Sequence, residues 1–300
     1  MTSTVPPRRL RLDQELVRRG LARSREHAST LISEERVKVQ GVLARKPATG
    51  VTTDVAIVVR EDPDQPDYAS RGAHKLVGAL EGFAPFGLEV EGKRCLDAGA
   101  STGGFTDVLL QRGAKRVLAV DVGYGQLVWR LQNDDRVEVH DRTNIRELSP
   151  EIVGEPVDLV VGDLSFISLT LVLDALLSVM ADDGSLALMV KPQFEVGKDR
   201  VGKGGVVRDL ALRTEAVATV AEAAAQRGWG ARAVTVSPLP GPSGNVEFFL
   251  LLRKGEATIG VEEIDAEVQR TSDLGTKAAE KSAQKYDEKT HGQGSTEDQR

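Results

Sequence analysis

Four charged residues adjoin apolar segments of the sequence, where burial of a charge would be costly. Asp163 follows the run VDLVVG, Lys191 follows SLALMV, Glu247 precedes FFLLL, and Lys75 lies within SRGAHKL. Lysines and carboxylates are rarely buried without partners, so we expect strands to bring these charges together at one edge of a sheet. Taken singly, Lys191 could be a solvated strand end, and Glu247 an edge-strand charge that discourages aggregation.

Such a cluster would suit proton transfer. A lysine whose ammonium is disfavoured by burial or by a second cation can act as a base near neutral pH. Nearby acids oppose that role, because they favour the ammonium, which could still orient a substrate group. The sequence leaves both roles open for Lys191.

A glycine-rich turn follows the first predicted strand of the larger part of the chain. It lies in CLDAGASTGGFTDVLL, residues 95–110, and contains Gly99, Ser101, Gly103, Gly104 and Phe105. The spacing matches neither the G-x-G-x-x-G fingerprint nor the Walker motif, which argues against NAD and ATP. In open α/β sheets the ligand crevice lies beyond the carboxyl ends of the strands, so we expect a nucleotide-like ligand here. The alternative is an ordinary tight turn between a strand and a helix.

Carboxylates accompany this turn. Asp97 lies just before it, and Asp121 ends the next predicted strand, 24 residues further on. One would hold the amino acid end of a ligand and the other a ribose diol, as acids at the end of the second strand do in Rossmann proteins. His140 and Asp141 end the third strand, where either could approach an adenine edge or simply face solvent.

The elements that must position these residues alternate between strand-like and helix-like segments from residue 71 to residue 254. We predict helices over 74–83, 104–112, 125–132, 169–180 and 208–227. Strands alternating with helices indicate an α/β fold, a Rossmann-like, doubly wound, mostly parallel sheet covered on both faces. Apolar content falls from Gly255 on, so residues 255–300 are expected to form a disordered tail.

Residues 8–60 form a smaller α+β region that precedes this domain. Leu12, Leu16 and Val17 recur at helical spacing, Ser24 is a candidate N-cap for a second helix, and short strands follow. Residues 61–70, EDPDQPDYAS, hold two prolines and four acids and are expected to be a linker. Residues 1–60 carry 12 basic and 6 acidic residues, whereas the other 240 carry 27 and 39. A basic head on an acidic body is typical of a polyanion-binding module joined to a different working part.

Composition excludes several classes of protein. No apolar run approaches the roughly 18 residues of a membrane-spanning helix, and no signal peptide is visible, so a cytoplasmic protein is expected. One cysteine, Cys95, cannot form an internal disulfide, and with four scattered histidines it makes no zinc pattern. We therefore expect no metal site.

The motifs resemble two known modules. R-L-D-x-x-L, G-L-x-x-S-R-x-x-A-x-x-L-I and V-x-V-x-G in residues 8–60 look like the alpha-L RNA-binding module first described in a small-subunit ribosomal protein. The resemblance implies RNA contacts by basic residues of the module and of the segment just after the linker: Arg8, Arg11, Arg18, Arg23, Arg25, Lys38 and Arg71. D-x-G-x-x-x-G-G-F followed by V-D resembles the S-adenosylmethionine site of Rossmann-like methyltransferases. The alternative for the first module is docking to a protein.

Over residues 8–253 the chain is similar to the TlyA family, which joins the alpha-L module to an FtsJ-type methyltransferase domain. The matching motifs are SRGAHKL, LDAGASTGGFTD, VGDLSFISL, VKPQFEVGK and GNVEFF. The resemblance implies S-adenosylmethionine-dependent 2′-O-methylation of cytidines in ribosomal RNA, ribosomal RNA or ribosomal subunits as partners, and a monomer. It places a Lys-Asp-Lys-Glu catalytic tetrad on Lys75, Asp163, Lys191 and Glu247. Members of the family are also called hemolysins, but a pore former needs a membrane-competent segment, which this sequence lacks.

Two other functions are weighed against this one. A non-catalytic RNA-binding or ribosome-assembly factor would have no need of charges at all four tetrad positions. A pseudouridine synthase with the same head would need a catalytic Asp in a mainly antiparallel fold, whereas this chain alternates strands and helices as parallel sheets do.

Overall fold

The computed structural model describes residues 9–22, 24–60, 68–241 and 243–272. The chain divides into two compact units, Met1–Ser70 and Arg71–Arg300. The predicted linker is described only over residues 68–70, where Tyr68 and Ala69 are buried.

The first unit contains two short helices and five short strands. They are β1 (Leu10–Arg11), α1 (Leu12–Arg18), α2 (Arg25–Ser33), β2 (Val37–Val39), β3 (Val42–Leu43), β4 (Gly50–Val51) and β5 (Ile57–Val59). Strand β2 pairs antiparallel with both β3 and β5, and β1 pairs with β4. The hydroxyl of Ser24 accepts a hydrogen bond from the backbone N–H of His27, as expected of an N-cap. Leu12, Leu16, Leu31 and Val37 form the centre of the core.

The second unit is built on a seven-stranded sheet. Its elements are α3 (Ala73–Phe83), β6 (Arg94–Ala98), α4 (Gly104–Gln111), β7 (Arg116–Val120), α5 (Trp129–Gln132), β8 (Val137–His140), α6 (Pro150–Val153), β9 (Val157–Gly162), α7 (Leu173–Ser178), β10 (Met180–Val190), α8 (Pro192–Glu195), α9 (Leu210–Ala225), β11 (Trp229–Val236), β12 (Phe248–Lys254) and α10 (Val261–Gln269).

The strand order of this sheet is β11-β12-β10-β9-β6-β7-β8. Strands β10, β9, β6, β7 and β8 run parallel, and β12 is antiparallel to both of its neighbours. The chain leaves β6 towards β7 on one side and later returns to β9 on the other, which makes the end of β6 a switch point where ligands bind in such sheets. The predicted α/β, Rossmann-like class is confirmed.

Two predicted helices are shorter than expected. The helix predicted over 125–132 is reduced to α5, because Gly125 adopts a left-handed φ of 63° and its N–H bonds the Asp141 carboxylate. The helix predicted over 169–180 is split into a 3-10 turn, Leu169–Leu171, and α7, and Met180 already belongs to β10.

The prediction of a disordered tail from Gly255 on is wrong for the described residues 255–272. Helix α10 packs against α9 and buries Ile264 and Val268 completely. These two residues are four apart and lie on one helix face, and the acids between them are half-buried: Asp265 accepts a hydrogen bond from the Thr214 hydroxyl and Glu267 from the Val236 N–H. Residues 273–300 lie outside the described part.

Candidate active site

The four predicted catalytic residues meet at one edge of the sheet. Asp163 directly follows β9 and Lys191 follows β10, while Glu247 directly precedes the antiparallel β12, whose first residue pairs with the last of β10. The carboxyl ends of β9 and β10 and the start of β12 therefore coincide. Lys75 reaches the same place from the first turn of α3.

Their side chains form one chain of ion pairs. The Lys191 Nζ atom lies 2.6 Å from Asp163 Oδ1, and the Lys75 Nζ atom lies 2.6 Å from Glu247 Oε2. The other oxygen of Asp163, Oδ2, is 4.0 Å from the Lys75 Nζ atom and so links the two pairs. Two cations and two anions leave the cluster with no net formal charge, which is how buried ionic groups become tolerable.

Burial differs among the four in a way that matters for access. Glu247 is 1% exposed, Lys191 6% and Lys75 8%, whereas the side chain of Asp163 is 26% exposed. Among the described residues, no group hydrogen bonds to Glu247 Oε1, although this atom is buried. Asp163, which also lines the neighbouring cavity, is therefore the member of the cluster that is most open to a substrate.

A serine that sequence reasoning missed completes the surroundings of Lys191. The Lys191 Nζ atom donates to Ser165 Oγ at 2.7 Å, in addition to its contact with Asp163. The Nζ atom therefore has two fixed partners, a carboxylate and a hydroxyl. The only signal in the sequence is a small polar residue two positions after Asp163, which is too common a pattern to single out.

Glu195 is a second missed residue, and it joins the segments that follow β9 and β10. Its carboxylate accepts hydrogen bonds from Ser168 Oγ at 2.5 Å and from the Leu169 N–H at 2.9 Å. Burial raises the pKa of Glu195, although both hydrogen bonds oppose this. The contact fixes the loop carrying Ser165 relative to the segment that begins at Lys191.

A cavity of about 440 Å³ lies beside Asp163, at the switch point of the sheet. Its lining residues come from the glycine-rich turn and from the segments that follow β7, β8 and β9: Gly99, Ser101, Asp121, Val122, Gln126, Asn144, Ile145, Asp163, Leu164, Ser165, Phe166 and Ile167. The volume suits a small ligand. Gln126, Asn144 and the apolar residues after Asp163 were not anticipated as lining.

Asp121 lines this cavity, and two backbone N–H groups fix the orientation of its carboxylate. Its Oδ2 atom accepts the Ser101 N–H at 2.8 Å, and its Oδ1 atom accepts the Gly123 N–H at 2.7 Å. Each carboxylate oxygen can accept further hydrogen bonds, so the carboxylate has a fixed orientation and can still bind a ligand. Ser101 itself has a left-handed φ of 48°, which turns its backbone towards Asp121.

Asp97 has a different place from the one expected. It is fully buried, does not line the cavity, and its Oδ2 atom accepts the N–H and hydroxyl of Thr106 at 2.8 and 2.7 Å. Burial raises the pKa of Asp97 to about 7, against the effect of the Thr106 hydrogen bonds. Asp97 therefore ties the end of β6 to the first turn of α4 and does not face the cavity.

The remaining predicted cofactor residues do not line the cavity, and all except Asp141 lie in the glycine-rich turn. Gly103 has a φ of 96°, and a Cβ there would lie 2.4 Å from a Leu131 methyl group; Gly104 begins α4. Phe105 is buried against Phe249, with ring centroids 6.1 Å apart. Asp141 accepts the Gly125 N–H at 2.9 Å. The cavity's lining does not include Gly103, Gly104, Phe105 or Asp141.

The predicted RNA-binding arginines of the first unit are engaged with buried acids. Arg11 and Arg25 both bond Asp13, and Arg18 bonds Glu15. The Arg11 guanidinium, with help from Arg25, holds the pKa of Asp13 at about 2 despite burial. These arginines therefore stabilise the unit as well as present positive charge.

The other predicted RNA contacts are less constrained. Lys38 is exposed on the first unit and Arg71 on the second. Arg8 and Arg23 lie outside the described residues.

No cluster of three or more potential metal ligands occurs among the described residues. In that same part of the chain, no helix is long and apolar enough to cross a membrane. Cys95 is a buried free thiol, and burial raises its pKa to about 12.

Comparison with known proteins bears on the meaning of this geometry. The FtsJ-like methyltransferase family matches residues 68–254, and the S4 domain matches residues 10–57. The 16S/23S rRNA (cytidine-2'-O)-methyltransferase TlyA of Mycobacterium tuberculosis is 59% identical over 246 residues, which are 82% of this chain and 90% of that protein. The 23S rRNA (cytidine-2'-O)-methyltransferase TlyA of Campylobacter jejuni is 37% identical over 61% of this chain and 69% of its own length.

A solved structure shares the architecture. A protein of Streptococcus thermophilus described as a hemolysin is 35% identical, with a TM-score of 0.67 over 91% of this chain and 98% of its own. The resemblance drawn from the sequence motifs is thereby confirmed. Because the family pattern spans more than half of the chain and a TlyA relative aligns along most of it, this chain belongs to the FtsJ-like methyltransferase family, in its TlyA branch.

Proposed function

We propose that this protein transfers the methyl group of S-adenosylmethionine to the ribose 2′-hydroxyl of cytidines in ribosomal RNA. The observation that carries the proposal is the chain of ion pairs from Lys191 through Asp163 and Lys75 to Glu247, at the mouth of the cavity at the switch point. The names of the TlyA relatives supply the substrate class. The S4 domain supports RNA as the partner.

The cavity beside the tetrad fits S-adenosylmethionine. Asp121 offers a fixed carboxylate for a ribose diol, and Asn144 and Ile145 offer a polar and an apolar contact for a purine ring. Asp163 presents a partly exposed carboxylate at the same cavity, which suits a positively charged sulfonium. When bound, the cofactor supplies an electrophilic methyl group on a sulfur that leaves readily.

The tetrad then has to position and deprotonate a poor nucleophile. Holding a hydroxyl in line can contribute roughly 7–11 kcal/mol in favourable systems. In the proposed role, the Lys191 ammonium holds the hydroxyl oxygen, and its two bonds to Asp163 and Ser165 fix its direction. The Asp163–Lys191 pair, treated as one coupled group, accepts the hydroxyl proton. Lys75 and Glu247 hold Asp163 in place.

The two units divide the work in this proposal. Residues 8–60 bind structured RNA through their basic side chains, and residues 71–254 perform the methyl transfer. Because one chain carries all four tetrad residues, we propose a monomer. A ribosomal RNA substrate makes the cytoplasm the proposed site of action.

The test is transfer of a radioactive methyl group. Separate small and large ribosomal subunits, each also as protein-free RNA, are incubated with the protein and tritiated S-adenosylmethionine, and the labelled nucleotide is mapped. We expect label on cytidine riboses, and labelling by Lys191→Ala that is slower by about a hundredfold or more. Label on a base, or binding of RNA without any transfer, would contradict the proposal, and the second outcome would favour an assembly factor.

A further inference from the structure

Residues 198–208 form a loop near the tetrad, and buried side chains of the second unit hydrogen bond to its backbone. It leaves the segment that begins at Lys191 and ends where Asp209 caps α9. Val207 is 2% exposed and packs on Val196 and Ala216, whereas residues 202–205 are exposed. The loop therefore has a fixed inner face and a free outer turn.

Asn245 clamps the turn of this loop. It is 2% exposed, and its Oδ1 atom accepts the Val207 N–H at 2.9 Å while its Nδ2 atom donates to the Gly205 carbonyl at 2.7 Å. Both ends of one amide thus hold the same turn, two residues before Glu247 of the tetrad. Gly204 and Gly205 both have left-handed φ angles, so the turn has a defined shape for the clamp to hold.

Arg213, on α9, holds the same loop from below and connects it to the C-terminal helix. It is 2% exposed; its Nε atom donates to the Val207 carbonyl at 3.0 Å, and its Nη1 atom donates to Thr271 Oγ1 at 3.1 Å. No carboxylate of the described residues lies within 4 Å of this guanidinium. Its charge is therefore not cancelled locally. Burial lowers the pKa of Arg213, and the neighbouring cation Arg208 lowers it further.

The outer surface of the loop is cationic in an otherwise acidic unit. Lys198, Lys203 and Arg208 are exposed, and none of them has an ion-pair partner in the described part of the chain. Arg200 differs, since it bonds Glu215. An uncompensated buried guanidinium beneath exposed cations favours a polyanion at this position.

We propose that residues 198–208 are a phosphate-binding loop for the RNA next to the target nucleotide, with Asn245 and Arg213 as the positioning residues that set its shape. The proposal rests on the proposed function, because it takes RNA as the substrate of the neighbouring tetrad. It also gives the segment just after α10, outside the residues matched by the family, a role in substrate binding through Thr271.

The test compares Asn245→Ala, Lys203→Ala and the double variant in the full-length protein. Binding to protein-free large- and small-subunit ribosomal RNA is measured at several salt concentrations, together with the Kd for S-adenosylmethionine. We expect Asn245→Ala to weaken RNA binding about tenfold at moderate salt and to lower the slope of log K against log salt by about one, since each lost phosphate contact removes about 0.7–0.9. The Kd for S-adenosylmethionine should stay within twofold of wild type.

The double variant shows whether the clamp acts through the loop. If Asn245 acts by positioning Lys203, adding Lys203→Ala to Asn245→Ala should cost clearly less than Lys203→Ala costs alone. Trypsin should also cut after Lys203 and Arg208 faster in Asn245→Ala than in wild type. The matched control is Arg227→Ala, which removes one cation beyond the far end of α9, where Arg227 bonds Asp174, and should leave the salt slope unchanged.

A normal salt slope in Asn245→Ala despite rapid trypsin cleavage of the loop would overturn the proposal, as would full additivity in the double variant. If Asn245→Ala is unfolded at the assay temperature, Lys203→Ala carries the test alone, because Lys203 is exposed and its loss should by itself lower the salt slope by about one. Suppose that the loop variants lower the salt slope of RNA binding but the wild-type protein transfers no methyl group. This result would contradict the proposed function and still support RNA binding by the loop.

Discussion

At the residue scale, the site depends on how each tetrad side chain is held. Lys191 pairs with Asp163, the most exposed member of the cluster, and with Ser165, whereas Lys75 pairs with the fully buried Glu247. Removal of one partner from a buried ion pair leaves an uncompensated charge, so interior substitutions are expected to impair folding as well as activity. Lys191 and Ser165 are therefore the informative positions for catalysis.

Lys191→Ala should lower the single-turnover rate of methyl transfer by about 10²–10⁴, because it removes the group that orients the hydroxyl and shares its proton. The Kd for RNA and for S-adenosylmethionine should stay within about threefold of wild type. Lys254→Ala is the matched control, since Lys254 forms an equally short pair with Asp182 at the other end of β12, in an exposed position. Wild-type turnover in Lys191→Ala would eliminate both roles considered for this residue.

Ser165→Ala should have a smaller effect, about three- to tenfold on kcat, because Asp163 still holds Lys191. Ser165→Thr keeps the hydroxyl and should recover most of the rate. A change in KM for RNA alone would show that Ser165 binds substrate and does not position Lys191.

Asp97 makes stability depend on pH. Burial raises the pKa of its carboxyl from the usual 3.8 to about 7, so the folded state binds this proton more tightly than the unfolded chain does. The neutral Asp97 carboxyl therefore favours the folded state below about pH 4, and this contribution to stability is lost by ionisation as the pH rises towards 7. Asp97→Asn should therefore lose less stability than wild type between pH 5 and pH 7.5, in urea unfolding at each pH. The difference should reach about 1–3 kcal/mol, since one pKa unit corresponds to about 1.4 kcal/mol. Asp182→Asn, at an exposed acid, should follow wild type, and parallel curves for all three proteins would contradict the assignment.

At the scale of elements, short contacts between loops matter more than the regular helices and strands. Glu195 joins the segments after β9 and β10, Asp97 joins β6 to α4, and Asn245 joins the 198–208 loop to the strand that carries Glu247. Each of these polar groups is buried or half-buried and bonds backbone groups that would otherwise lack partners. The tetrad thus depends on connections between elements that are distant along the chain.

Helix α10 should be an integral part of the second unit. Ile264→Ala should lower the free energy of unfolding by about 2–5 kcal/mol, because the side chain is 1% exposed and the cavity left behind cannot close fully. Val261→Ala, at a residue 59% exposed on the same helix, should change it by about 0.5 kcal/mol or less. Urea unfolding monitored by circular dichroism measures both. Equal effects would show that α10 is only loosely attached.

At the scale of the whole molecule, charge is segregated along the sequence. Residues 1–60 carry a net charge of +6 and the remaining residues −12. The acidic body repels RNA, so the basic head must supply most of the long-range attraction, and the 198–208 loop supplies cations close to the tetrad. Both contributions weaken as salt concentration rises.

Deletion of residues 1–60 should weaken RNA binding at about 150 mM salt by at least tenfold, because most of the phosphate attraction is removed. The Kd for S-adenosylmethionine should change by less than about threefold, and the circular dichroism of the remaining unit should show that it is folded. Filter binding and calorimetry give the two constants. Equal losses of both would refute the division of labour between the units.

The sequence by itself indicated the class of the fold and predicted that Lys75, Asp163, Lys191 and Glu247 would come together, Lys75 chiefly through the family resemblance. Alternation of apolar strands with helices, and charges directly at strand ends, are local features that can be read without coordinates. Helix limits were less certain where a glycine or a long-range hydrogen bond intervened, as at Gly125 and its bond to Asp141. Helix α10 was missed because its two buried residues are too few to raise the mean hydropathy of an acidic segment.

Only the tertiary structure decided which acid faces the cavity and which residues fix the tetrad. Asp97 and Asp121 look alike in sequence, since both are carboxylates at strand ends beside glycines. Asp97 is enclosed by α4 and bonds Thr106, whereas Asp121 remains open to the cavity. Ser165, Glu195, Asn245 and Arg213 carry no local signal, because their roles arise from hydrogen bonds to groups far away in the sequence. Such contacts depend on how elements pack, which a linear pattern of residue types does not encode.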